Sequence, residues 1–225
     1  MQCLNCGQEL PKNFSILEFL WKERSEEVFC SDCQSNFQLL SGNLCYGCCK
    51  PSDVTYCSDC QIWQLNYPNY DFSHKALFVY NDAMKAYFER YKFLGDYRLR
   101  HTFGKVLRST LSKEQAILVP IPLSNERYLE RGFNQVSGML EAAGLNFLEV
   151  LEKKEHIEHQ SKKSKVERME TQQPFSLQKE LSCELKGKDV LLVDDIYTTG
   201  RTIFHAYEAL KTAQPKSIRS FSLAR

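Results

Sequence analysis

The sequence predicts an α/β protein in which a parallel sheet flanked by helices follows a small cysteine-rich module. Nine of the ten cysteines fall within the first 60 residues of the 225-residue chain. After them, apolar strand patterns alternate with helical ones, an order that favours a parallel sheet. The segment VLLV at 190–193 is the clearest strand, since a continuous apolar run is typical of burial on both faces. We therefore divide the chain into two domains, residues 1–63 and residues 64–225.

Four CxxC pairs occur in order in the first module: Cys3 with Cys6, Cys30 with Cys33, Cys45 with Cys48, and Cys57 with Cys60. A CxxC turn directs two thiolates at one ion, and two such pairs complete a closed tetrahedral zinc shell. We expect two structural zinc ions, one on the first two pairs and one on the last two, although a cross-braced arrangement uses the same residues. Cys49 directly follows the third pair and is an alternative ligand, although we expect it to be a spare thiol. Unmetallated buried cysteines and redox-active pairs are the alternatives.

Charge and hydropathy limit the classes of function. Residues 1–65 hold four Lys or Arg against eight Asp or Glu, so the first module is a poor candidate for binding a phosphate backbone. No run of 18 apolar residues occurs, and the chain begins with MQCLNC rather than with a basic and then an apolar stretch. We therefore expect neither a membrane span nor a signal peptide, and we expect a cytoplasmic protein. A reducing compartment favours metal binding over disulfides.

The second domain is predicted to begin with a strand at 76–80 and two helices, at 83–91 and 97–111. Between residues 85 and 108 there are seven Lys or Arg and two acids, interleaved with aromatic residues. Such a pattern can follow a single-stranded backbone and stack its bases. The alternative is that the aromatic rings face the core and the cations face solvent.

A predicted strand at 117–121 is followed by a predicted loop at 125–135 and by a helix that begins near Asn134. Arg127 and Arg131 lie close together in this loop. Open parallel sheets bind ligands outside the carboxyl ends of their strands. Two guanidinium groups at such a place suit a polyanion.

The strongest candidate site follows the strand at 190–193. Asp194 and Asp195 stand at its carboxyl end, where they can accept hydrogen bonds from two sugar hydroxyls. A turn then leads into the predicted helix FHAYEALKTA, and N–H groups at the start of a helix can enclose a phosphate. Gly200 permits close approach of the backbone. The hydroxyls that can add to this site belong to Thr198, Thr199 and Thr202. SIRSFSLAR is predicted to form a last strand.

Residues 190–202 closely resemble the signature of type I phosphoribosyltransferases. With PIPL, RGFNQ, the terminal LAR and the preceding CxxC pairs, they are similar to the ComF/GntX family over almost the whole chain. The resemblance implies that Asp194 and Asp195 hold the ribose of 5-phosphoribosyl-1-pyrophosphate, and that Arg127 and Arg131 bind its pyrophosphate with Mg²⁺. These four residues would be catalytic. The residues implied to bind the ligand are Asp194, Asp195, Ile196, Tyr197, Thr198, Thr199, Gly200, Arg201 and Thr202.

Residues 152–168 are rich in charge and poor in apolar side chains, which predicts a mobile loop that could serve as a lid. The ComF/GntX resemblance adds a lid pattern, which this chain follows in part. The residues that fit the pattern are Gln160, Arg168 and Phe175. The residues that depart from it are Lys163 and Thr171.

The resemblance also implies a role in competence, the uptake of transforming DNA, beside a ComFA-type helicase at the inner face of the membrane. Single-stranded DNA is a further candidate partner. Two classes of function stay open. In one, the protein is an active phosphoribosyltransferase for nucleobase salvage or for an unknown acceptor. In the other, it is an adaptor whose phosphoribosyl site binds a nucleotide or a DNA end, because a fold can keep its ligand loop after losing the reaction.

Overall fold

A computed structural model describes residues 2–10, 28–67, 73–154 and 173–225. The strands of these residues are β1 (His74–Phe78), β2 (Ile117–Pro120), β3 (Leu151–Lys153), β4 (Phe175–Leu177), β5 (Asp189–Ile196) and β6 (Ser217–Ala224). Four of them form a parallel sheet in the order β1-β6-β5-β2, and β3 pairs with β4 as an antiparallel ribbon. The predicted parallel α/β sheet is confirmed.

The helices surround this sheet. They are α1 (Ser31–Gln34), α2 (Ser58–Asn66), α3 (Asp82–Lys92), α4 (Gly104–Leu111), α5 (Asn125–Arg131), α6 (Gln135–Ala142), α7 (Lys179–Ser182) and α8 (Arg201–Lys211). Helix α8 is amphipathic, and its apolar face is buried. No helix among the described residues is long and apolar enough to cross a membrane.

The predicted loop at 125–135 was wrong, because its first part is helix α5. The helix is stabilised by local contacts: the Ser124 side chain accepts a hydrogen bond from the N–H of Arg127, and Gly132 ends the helix at φ 79°. No residue of α5 is buried, so its sequence has no apolar stripe to indicate a helix. The helix predicted to begin near Asn134 is confirmed, with Asn134 as its N-cap.

Two further elements differ from the prediction. The helix predicted at 97–111 is a 3-10 turn, Tyr97–His101, followed by α4. The ribbon of β3 and β4 was missed, and β3 contains the start of the segment predicted as a mobile loop. The rest of that segment lies outside the described residues. The same is true of most of the lid pattern: Gln160, Lys163, Arg168 and Thr171. Phe175 is buried in β4.

The aromatic residues that alternate with cations between 85 and 108 mostly belong to the core. Tyr87, Phe88, Tyr91 and Phe103 are buried, and the Tyr87 ring contacts the other three. This outcome matches the alternative in which the rings face inward, although one of the cations, Lys92, pairs with buried Asp195 instead of facing solvent. Phe93 is the exception, with 76% of its surface exposed.

Candidate functional site

Two carboxylates lie at the carboxyl end of β5, as the sequence predicted. Asp194 and Asp195 are both buried, and the N–H of Asp195 donates to Oδ1 of Asp194 over 2.9 Å. Burial, and then the neighbouring charge of Asp195, raises the pKa of Asp194 to about 7. Asp194 therefore changes protonation near neutral pH, and a cation or a hydroxyl donor beside it would favour its ionised form.

Asp195 is held by residues of two helices. The ammonium of Lys92, at the end of α3, lies 2.6 Å from Oδ2 of Asp195, and the amide of Gln135 donates to the same oxygen over 2.7 Å. Arg131 joins this group, because its Nε donates to the carbonyl of Lys92 over 3.0 Å and its Nη1 donates to Oε1 of Gln135. The network fixes the position of Asp195 relative to α3, α5 and α6.

These groups open onto a cleft of about 510 Å³, which we call the ionic cleft. Its cations are Lys92, Arg127, Arg131 and Lys153, and its acids are Glu130, Asp194 and Asp195. Burial lowers the pKa of Lys153 and that of Arg131, so two of the cations are partly withdrawn from water. Partly dehydrated cations attract an anion more strongly than exposed ones. The cleft therefore suits a polyanion that also carries hydroxyl groups.

The turn after β5 leads directly into α8. Gly200 is the N-cap of the helix with φ 81°, a left-handed conformation that favours glycine. A Cβ at this position would lie 2.3 Å from the hydroxyl of Tyr197, so the site also requires a residue without a side chain. Glycine supplies no capping oxygen, and the N–H of Arg201 donates to Oγ1 of Thr199 over a long 3.5 Å. N–H groups at the start of a helix such as α8 can bind an anion.

The structure separates the predicted ligand residues into two groups. Asp194, Asp195, Ile196 and Thr202 line the ionic cleft together with Arg127 and Arg131. Tyr197, Thr198, Thr199 and Arg201 line a second cleft of about 550 Å³, which also contains Trp63 and Phe204. The turn from Tyr197 to Gly200 therefore stands between two clefts, with the carboxylates on one side only.

The eight cysteines of the CxxC pairs form two tetrads. Cys3, Cys6, Cys30 and Cys33 form the first tetrad, and Cys45, Cys48, Cys57 and Cys60 form the second, each with all sulfur atoms within 4.8 Å of one another. A tetrahedral site with zinc–sulfur bonds of about 2.3 Å requires sulfur atoms about 3.8 Å apart, so both tetrads fit zinc. The simpler of the two predicted pairings is the one observed, and the cross-braced alternative is wrong.

Cys49 lies outside both tetrads, as the sequence predicted. Its thiol donates to the carbonyl of His74 over 3.1 Å. A closed shell of four sulfurs leaves no position for a substrate, so an ion bound at either tetrad would be structural.

Sequence reasoning missed two contributors to the carboxylate site and one cation of the cleft. Gln135 was part of the RGFNQ motif but received no role. Lys92 stood in a basic stretch in which no feature distinguished it from its neighbours. Lys153 is the last residue of a three-residue strand, β3, that was itself not predicted. Lys92 and Gln135 come close to Asp195 only through tertiary folding. Of the two, only Gln135 belongs to a sequence motif, RGFNQ.

Comparisons with known proteins agree with this geometry. A family profile described as "Phosphoribosyl transferase domain" matches residues 139–225, which include β5, the turn and α8. The chain is 41% identical over its whole length to competence protein ComFC of Streptococcus pneumoniae, with 100% of both chains covered. It is 34% identical to competence protein ComFC of Bacillus subtilis, over 99% of this chain and 94% of the relative.

A more distant relative has a related name. Competence protein F of Haemophilus influenzae is 26% identical, with 87% of this chain and 96% of the relative covered. The full-length similarity to the two nearer relatives includes the cysteine-rich module as well as the sheet. The chain therefore belongs to the ComF/GntX family, in the group of competence proteins called ComFC.

Proposed function

We propose that this protein acts in competence, in the uptake of transforming DNA, and that it binds 5-phosphoribosyl-1-pyrophosphate in the ionic cleft. The names of its relatives support the first part. The second part depends on one observation: two buried carboxylates at the end of β5 face Lys92, Arg127, Arg131 and Lys153 in one cleft beside the start of α8.

Each part of the proposed ligand has a complementary group in this cleft. The ribose hydroxyls donate to Asp194 and Asp195. The 5-phosphate accepts hydrogen bonds from the turn and from the first N–H groups of α8, where the helix dipole also favours negative charge. The pyrophosphate lies against Arg127 and Arg131, whose planar guanidinium groups can each donate two hydrogen bonds to phosphate oxygens.

Asp194 and the ligand's phosphate oxygens would hold Mg²⁺, a cation that prefers carboxylate and phosphate oxygens in protein sites. The ion would neutralise phosphate charge. Asp195 contributes differently, because Lys92 already balances its charge at 2.6 Å. Of the two carboxylates, Asp194 therefore has the negative charge that is available to a new cation.

A second candidate function is phosphoribosyl transfer to an acceptor. The bond from C1 of the ribose to the pyrophosphate oxygen would break as the acceptor bonds to C1, and the leaving group would keep the electron pair. The cations of the ionic cleft favour this candidate, since Lys92, Arg127, Arg131 and Lys153 could stabilise the charge that develops on pyrophosphate. The acceptor would be a nucleobase or another nucleophile.

We also propose a zinc content, a domain division, a location and partners for this protein. We expect two structural zinc ions in the tetrads, residues 1–63 as the zinc-binding module, and residues 64–225 as the phosphoribosyltransferase-like domain. We also expect a cytoplasmic location, a ComFA-type helicase as partner, and contact with single-stranded DNA. Metal analysis of the purified protein tests the first expectation, and co-purification with the helicase tests the partnership.

Calorimetric titration of zinc-loaded protein with Mg²⁺ and phosphoribosyl pyrophosphate tests the ligand. We expect binding by the wild type and at least a roughly hundredfold loss in the variant Asp194→Asn/Asp195→Asn, because two charge-assisted contacts are removed. Asp189→Asn, at the opposite end of β5, is the matched control and should bind normally. Equal affinity of the double variant and the wild type would reject the site. Pyrophosphate release with added nucleobases then separates binding from catalysis.

A further inference from the structure

The second tetrad lies directly behind the turn from Tyr197 to Gly200. Arg225 joins the two, because its Nη2 donates to the sulfur of Cys48 over 3.1 Å and its Nη1 donates to the carbonyl of Thr198 over 3.2 Å. The same guanidinium lies 4.9 Å from the centre of the Tyr197 ring. A zinc–thiolate centre with four cysteines carries negative charge, so a guanidinium is a suitable partner for it.

A second contact joins the same two regions. Helix α2 begins next to Cys57, contains Cys60, and carries Trp63 one turn later. The indole N–H of Trp63 donates to the carbonyl of Thr199 over 3.1 Å. Two consecutive carbonyl groups of the turn, those of Thr198 and Thr199, are therefore held by side chains attached to the second tetrad or to its helix.

The orientation of these carbonyls determines where the turn's N–H groups point. In a trans peptide the C=O and the following N–H point in opposite directions, and the chain has no cis peptide among its described residues. Holding the carbonyls of Thr198 and Thr199 toward the tetrad therefore directs the N–H groups of Thr199 and Gly200 away from it. Neither N–H donates to a backbone carbonyl within the described part of the chain, so both can donate to an anion.

We propose that Arg225 and Trp63 are positioning residues that connect the second cysteine tetrad to the phosphate-binding turn. Their role is to hold two carbonyl groups away from the ligand and to present two N–H groups to its 5-phosphate. The inference rests on the proposed function, because it concerns the same site. The first tetrad has no such role, since it packs with Phe29 and the aromatic core around Tyr87 and Phe103.

The test measures affinity for two probes, ribose 5-phosphate and inorganic pyrophosphate, in the zinc-loaded full-length protein. We expect Arg225→Met and Trp63→Phe each to lower affinity for ribose 5-phosphate about tenfold, the order of magnitude expected when one hydrogen bond is lost. Affinity for pyrophosphate should stay unchanged, because Arg127 and Arg131 lie on the other side of the turn. The matched control is Arg219→Met, which removes a guanidinium paired with Glu114 from β6, the strand that Arg225 directly follows.

The outcomes separate the alternatives. An equal loss for both probes would mean a general loss of structure and would overturn the positioning role, as would unchanged affinity for ribose 5-phosphate. Absence of ribose 5-phosphate binding in the wild type would instead contradict the proposed function. Arg225→Lys should recover little affinity, since one ammonium cannot reach both Cys48 and Thr198 in the planar geometry of a guanidinium.

A comparison of the two tetrads provides an independent measurement. Cys30 and Cys57 are equivalent positions, because each precedes the short helix of its tetrad. Metal analysis should show that Cys30→Ser and Cys57→Ser each lose one zinc ion. Only Cys57→Ser should also weaken ribose 5-phosphate binding. Equal weakening by the two variants would contradict a specific connection between the second tetrad and the turn.

Discussion

The two sides of the turn from Tyr197 to Gly200 differ in how their polar groups are satisfied. On the side that faces the second tetrad, Arg225 and Trp63 donate hydrogen bonds to carbonyl oxygens of the turn. The ring of buried His74 lies 4.3 Å from the Tyr197 ring, and its two nitrogens form hydrogen bonds with the hydroxyls of Ser220 and Ser222. On the side that faces the ionic cleft, Asp194 is buried, and Asp195 lies beside it. One side uses its polar groups for internal contacts. On the other side Lys92 balances the charge of Asp195, and the charge of Asp194 is available to a ligand.

This difference indicates which substitutions should change stability and which should change ligand affinity. Burial lowers the pKa of His74 to about 3, so the imidazole is neutral and adds no charge behind the turn. In contrast, the raised pKa of Asp194 means that ionising this group works against folding. Substitutions on the side of the second tetrad should therefore lower stability and ligand affinity together, whereas loss of the Asp194 carboxylate should lower affinity without lowering stability.

The largest expected effect is that of a substitution at Gly200, the last residue of the turn that separates the two sides. Gly200→Ala should lower the free energy of unfolding by roughly 2 to 3 kcal/mol and abolish phosphate binding, because an added Cβ meets the Tyr197 hydroxyl at 2.3 Å in a strained backbone conformation. Gly132→Ala is the control: its φ is 79°, but the Cβ has open space. We expect it to cost only about 1 kcal/mol. Chemical denaturation measures both, and equal losses would show that the Tyr197 contact is unimportant.

The second-largest expected effect is a stabilisation. Asp194→Asn should raise the free energy of unfolding, and this increase should be about 1 to 2 kcal/mol larger at pH 8 than at pH 5. The pKa of Asp194 in the folded protein is about 7, above its ordinary value of 3.8. The folded protein therefore holds this proton more tightly than the unfolded chain does. The free energy of unfolding falls as the pH rises from 3.8 to about 7. Asp189→Asn should instead lose stability, since hydrogen bonds from Ser217 and Lys216 lower the pKa of Asp189. A pH-independent result for Asp194→Asn would disprove the assignment.

The smallest expected effect distinguishes the two arginines of the ionic cleft. Arg131→Met should lower pyrophosphate affinity about tenfold, because Arg131 also fixes Lys92 and Gln135 around Asp195. Arg127→Met should lower it only about threefold, since Arg127 is exposed on α5 and exposed charge pairs contribute little. Titration calorimetry with Mg²⁺ and pyrophosphate compares them. A greater loss for Arg127→Met would place the anion at the outer end of the cleft.

Much of the fold could be predicted because its central elements have clear patterns. The apolar run that ends in Asp194 and Asp195 predicted both the buried strand β5 and the position of the carboxylates. The CxxC spacing predicted two four-sulfur sites. Helix α5 could not be predicted, because it buries no side chain and depends on caps at Ser124 and Gly132. Strands β3 and β4 have three residues each, too few for a periodic pattern.

The parts of the site that sequence reasoning missed depend on contacts between distant segments. Lys92 reaches Asp195 from the end of α3, and nothing in the basic segment around it indicates that one lysine pairs with a buried carboxylate. Arg225 lay in the LAR motif, but its contact with Cys48 spans 177 residues. The choice between the two zinc pairings also required three-dimensional positions, because both pairings use the same sequence.

The strand order has a consequence for how the chain acquires its structure. Strand β6 lies between β1 and β5, and its Ser220 pairs with His74 of β1 across 146 residues. During translation, β1 is therefore synthesised long before its hydrogen-bonding partner exists. Sheets of such high contact order fold slowly, because a long loop must close before the pairing can form. A nascent chain that ends before Ser217 leaves an edge of β1 and an edge of β5 unpaired, so we expect chaperone binding at that stage of synthesis.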